Sequence, residues 1–65
     1  MNDNKPYAWF SSKREAIDAL RRELDKQGIP SLVQRAPGDR YKIAVQSIPY
    51  ELRQFIENAA EFYRF

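Results

Sequence analysis

The chain has no cysteine and no histidine. That excludes disulfide staples, thiolate metal sites, thiol nucleophiles and the imidazole that usually serves as general base near neutral pH. Glycine is scarce, with two residues in 65, and neither a Gly-x-Gly-x-x-Gly fingerprint nor a phosphate-binding loop is present. Long apolar runs are missing too. None approaches the roughly 20 residues of a membrane span, and the opening Met1-Asn2-Asp3-Asn4-Lys5-Pro6 lacks the apolar segment of a secretion signal. The expectation is a cytoplasmic protein that is not membrane-bound. The serines stand in no nucleophile-elbow context, and the carboxylates are scattered over helix surfaces without a pair that spacing would bring together. We therefore expect no enzyme and no cofactor.

What the chain has in surplus is aromatic side chains: one tryptophan, four tyrosines and four phenylalanines. Sixty-five residues form a single domain with a thin core, one that hides only about 60% of the unfolded surface. Such a core cannot cover every ring, and exposed rings are what contact surfaces use. The net charge of +2 is too small to mark a nucleic-acid stripe by itself.

Local signals give the element order. Residues 1–5 are polar and expected to be frayed. Tyr7-Ala8-Trp9-Phe10 suits a strand. Ser12-Lys13-Arg14-Glu15 has the spacing of a capping box, and Ala16, Ile17, Leu20 and Leu24 then recur on one helical face. Gly28 after Gln27, with Ile29 able to fold back on Leu24, predicts a Schellman cap, and Pro30 blocks continuation. Two strand-like runs, Ser31 to Ala36 and Arg40 to Ser47, flank Pro37-Gly38, a pair suited to a type II turn. In the second run Tyr41, Ile43 and Val45 alternate with Arg40, Lys42, Ala44 and Gln46, so one face is apolar and the other polar to basic. A second helix opens near Ser47 and Ile48, with Pro49 suited to its first turn, and Leu52, Phe55, Ile56, Ala59 and either Phe62 or Tyr63 line one side. The tail Phe62-Tyr63-Arg64-Phe65 reads equally as a last helical turn or a short fourth strand.

The fold class expected is α+β: a two-layer sandwich of order β-α-β-β-α, both helices on one face of a ferredoxin-like, half-open sheet. Lys42, Ala44 and Gln46 should project from the open face together with one parity of the first strand, either Tyr7 with Trp9 or Ala8 with Phe10. Tyr7 and Trp9 outside, beside Arg40 and Lys42, would make a stacking platform for bases or sugar rings. Trp9 inside would remove that version of it. The basic residues of the first helix have acidic partners four positions away, Arg14 with Asp18, Asp18 with Arg22, and Arg21 with Asp25, which predicts a self-paired, solvated face. Arg35 and Arg40 flank the turn, with Asp39 competing for them. At the C-terminus, Tyr63, Arg64 and Phe65 have the make-up of interface anchors.

The stretch Phe10-Ser11-Ser12-Lys13 through Ala16, Leu20, Leu24 and Gly28-Ile29-Pro30, followed by Tyr41-Lys42-Ile43-Ala44-Val45, resembles SPOR domains over roughly residues 7–48. That resemblance implies a ferredoxin-like fold whose open sheet binds peptidoglycan glycan strands stripped of their stem peptides. The residues themselves point to a small non-enzymatic protein that docks on a larger protein as regulator or inhibitor, or pairs with a second copy. Single-stranded nucleic acid on the open sheet is the alternative. The candidate contacts are Tyr7, Trp9, Arg40, Lys42, Tyr63, Arg64 and Phe65.

Overall fold

The computed structural model describes residues 6–64. The expected fraying of 1–5 and the anchoring role of Phe65 lie outside them. The elements are β1 (Tyr7–Ser11), α1 (Arg14–Lys26), β2 (Ser31–Ala36), β3 (Arg40–Val45) and α2 (Tyr50–Asn58). The three strands form one open antiparallel sheet in the order β1-β3-β2. Since β1 and β2 each run antiparallel to β3, they run parallel to each other, with α1 carrying the chain across. No helix of the described residues is long and apolar enough to cross a membrane.

The register settles the parity of β1. Trp9 pairs with Ile43 and Tyr7 with Val45, so these four share a face. The core lies on that face: Trp9, Ile43 and Val45 are buried against Ile17, Leu20 and Leu24 of α1 and Ile56 of α2, with Tyr7, Val33, Tyr41, Leu52 and Phe62 packed around them. Trp9 is thus inside, at 0% exposure, and the outward-facing alternative is corrected. The indole is the largest apolar side chain in the sequence, and packing it in the core removes all of it from water.

Helix α1 ends as its sequence predicts. The Ile29 amide donates to the Leu24 carbonyl at 2.9 Å and the Gly28 amide to Asp25 at 3.0 Å, with Gly28 at φ 72°. This is the Schellman pattern of crossed bonds. The start differs from expectation. The residue before the helix is Lys13, which makes no side-chain cap, and the capping box on Ser12 does not form. Instead the buried Ser11 Oγ accepts the Lys13 amide at 3.1 Å, an i to i+2 serine turn at the end of β1. Of the three ion pairs expected along α1, only Arg14–Asp18, at 3.6 Å, lies within 4 Å among the described residues.

The β2–β3 connection spans Pro37-Gly38-Asp39, since Ala36 pairs with Arg40. Gly38 takes φ 77°, as the third position of a type II turn requires, and Asp39 follows at φ 58°. Arg40 does not turn to Asp39: its Nε donates to the Pro37 carbonyl at 2.9 Å and fastens the turn.

Helix α2 departs most from its pattern. Ile56 is its one fully buried residue among those described, whereas Phe55, expected in the core stripe, is 68% exposed. After Asn58 the chain leaves the helix, and Tyr63 forms an isolated antiparallel bridge to Phe10 on the outer edge of β1. Among its described residues the tail is therefore not a last helical turn, and its share of the sheet is this one bridge.

Candidate functional site

Both helices sit on one side of the sheet, and the other side is assembled by alternation. With Trp9, Ile43 and Val33 turned to the core, Ala8 and Phe10 of β1, Arg40, Lys42 and Ala44 of β3, and Leu32, Gln34 and Ala36 of β2 face the opposite way. Cross-strand pairing aligns them in rows. Phe10, Lys42 and Gln34 stand in one row, and Ala8, Ala44 and Leu32 in the next. The Tyr63 bridge extends the first row by one ring. The Phe10 amide donates to the Tyr63 carbonyl at 2.8 Å, and the Tyr63 amide donates back at 3.0 Å. Paired residues project to the same face, and the Tyr63 ring stacks on Phe10 with centroids 6.2 Å apart at 24°.

Arg40 completes this arrangement. Held by the Pro37 carbonyl, its guanidinium lies 5.7 Å from the Phe10 ring centre. The row of paired side chains therefore reads Tyr63, Phe10, Lys42, Gln34, with Arg40 against the Phe10 ring. None of the described open-face residues is a carboxylate. Among the described residues, neither Arg40 nor Lys42 has an acidic group within 4 Å. Beside the row, the alanines leave a shallow surface in which Leu32 stands 57% exposed.

The positions named from sequence thus divide. Arg40, Lys42 and Tyr63 share the open face. Tyr7 and Trp9 lie on the other, where they stack on each other at 6.2 Å and 11°. Tyr7 is covered by the Arg53 guanidinium at 5.3 Å, which in turn lies 5.4 Å from the ring of Tyr50. Arg64 is paired with Glu57 at 3.4 Å rather than free for a partner. Arg35 lies against Tyr41, 5.8 Å from its ring centre, on the helix-covered side. Phe10 is not among the contacts expected from sequence, because alternation alone leaves either Tyr7 with Trp9 or Ala8 with Phe10 on the open side. Its signal was the alternation of β3, which places Lys42 on whichever side the first strand leaves outside.

A second feature lies on the helix side. The two helices do not close on each other, and a trough of about 610 Å³ runs between them. Leu20, Leu52, Ile56 and Phe62 line it, together with the small side chains of Ala16, Ala19 and Ala59 and the exposed ring of Phe55. Glu23 and Glu61 are its charged lining residues, and among the described residues no cation lines it with them. Among the described residues, no group of three or more acidic side chains is placed to hold a metal ion.

No family model, no curated protein and no solved structure matches this chain.

Proposed function

We propose that this protein is a non-enzymatic binding domain whose sheet face opposite the helices takes single-stranded nucleic acid. One observation carries the reading: stacked rings, Phe10 and Tyr63, share with Arg40 and Lys42 a face that has no carboxylate among the described residues. Flat rings accept bases of any identity, and cations beside them meet the phosphates that join those bases. A platform of this kind gives little sequence discrimination, because stacking reads a π face rather than a donor and acceptor code. The lone bridge of Tyr63 to β1 fits a ferredoxin-like plan in which a fourth strand has shortened to one residue pair. A glycan strand of the kind implied by the SPOR resemblance would use the same rings, so it enters the test as a competitor.

The test is fluorescence anisotropy with a labelled oligothymidylate at low salt. Tyr63→Ala removes a ring but leaves the main-chain bridge, so circular dichroism should not change. Loss of one stacked base costs about 1–3 kcal/mol, and the dissociation constant should rise about 5- to 150-fold. An oligonucleotide that fails to bind, or binds Tyr63→Ala as well as the parent, overturns the reading. Binding of denuded glycan strands with no binding of the oligonucleotide would assign the face to sugar rings instead.

A further inference from the structure

We infer that the trough between α1 and α2 is a second, independent docking site, and that its occupant is an amphipathic, basic helix of a partner protein. The volume of about 610 Å³ falls within the 300–1,000 Å³ or so of ordinary ligand sites, but the shape is a channel bounded by two helices rather than a closed cavity. From Ala16 to Glu23 the α1 wall extends about 10 Å at 1.5 Å per residue, close to two turns of a docked helix. Ala16, Ala19 and Ala59 keep the walls low, so a guest backbone can approach closely. Phe55, 68% exposed, supplies the aromatic anchor that such grooves use. A helix laid here would present apolar residues at i, i+3 or i+4, and i+7 to Leu52, Phe55 and Phe62, over a floor closed by the buried Leu20 and Ile56.

Charge chooses the partner. The two ionisable side chains that line the trough, Glu23 and Glu61, are both acidic. An acidic guest would meet repulsion at both, whereas lysines or arginines bordering the apolar stripe would meet an opposite charge at each. The site lies on the far side of the sheet from Phe10, Lys42 and Tyr63, so it stands or falls separately from the open-face reading. It is also where docking on a larger protein finds support.

The experiment uses the full chain, isotopically labelled, titrated with two fluorescein-tagged amphipathic peptides of equal length. One is built from leucine, alanine and lysine, the other from leucine, alanine and glutamate. The lysine peptide should shift the amides of Ala16, Ala19, Phe55 and Ala59, and leave Phe10 and Lys42 unmoved. Phe55→Ser, which alters an exposed position, should weaken it at least about tenfold without changing oligothymidylate binding. The double variant Glu23→Lys, Glu61→Lys should reverse the preference toward the glutamate peptide. Equal binding of both peptides, binding unaffected by Phe55→Ser, or no binding of either peptide while a small apolar dye still enters, would each overturn the inference.

Discussion

The cations of the open face make a quantitative demand. Among the described residues, Arg40 and Lys42 are the basic side chains that stand there beside the rings; Arg14 and Arg35 lie over Tyr41 on the covered side, and Arg64 is engaged by Glu57. A single strand that neutralises two charges releases counterions with a slope of about −0.7 per contact, here about −1.4 in log K against log salt. Raising the salt fourfold, from about 50 to about 200 mM, should then weaken binding about sevenfold. Lys42→Gln removes one contact, halves the slope to about −0.7, and reduces the same loss to less than about threefold. Lys42 is half-buried in the central strand with its head group on the open side, and glutamine keeps a comparable stem, so the fold should hold. Anisotropy titrations of both proteins across that salt range measure the two slopes directly. A parent slope near zero, or a slope unchanged in Lys42→Gln, refutes the argument, because it would mean that phosphates do not sit where the two cations are.

Two further outcomes concern the fold that presents this face. Ser11→Ala strips the acceptor from the Lys13 amide and leaves a part-buried donor unmet, at a cost of about 1 kcal/mol, or about 4–8 °C in Tm for a domain of this size. Ser12→Ala should leave Tm unchanged, and thermal melts that rank the two the other way would restore the capping box. At Gly28, φ is 72° and an added Cβ would meet no atom within 4 Å, so Gly28→Ala pays only the left-handed backbone cost of about 1–2 kcal/mol; a melt that does not shift downward contradicts the assigned cap.

The elements whose signals are local were legible in advance. The Gly28-Ile29-Pro30 stop depends on backbone chemistry within five residues and needs no tertiary partner. The alternation of β3 is equally self-contained, since Ile43 and Val45 can satisfy only one face. What the sequence left open was decided by packing at a distance. Tyr7-Ala8-Trp9-Phe10 has bulky apolar residues on both parities, so no alternation distinguishes them; pairing with Ile43 does. The capping box failed because the helix begins at Arg14, one residue later than Ser12 would need. Phe55 carries the same periodic signal as Ile56, but the gap between the helices leaves its side of α2 uncovered. Tyr63 became a sheet residue through hydrogen bonds to Phe10, a strand more than fifty positions upstream, and no local propensity encodes that.

The position of Trp9 gives the molecule a built-in division of labour for spectroscopy. Its indole is sealed beneath the helices with the sheet between it and the open face. Emission from this lone fluorophore of its kind tracks the integrity of the interior, while a ligand arriving on the outer rings of Phe10 and Tyr63 leaves it dark to the event. Unfolding and ligand capture can therefore be followed in a single cuvette, each in its own optical channel, and a variant that merely loosens the domain will betray itself through a red-shifted indole before it is mistaken for one that has lost its grip.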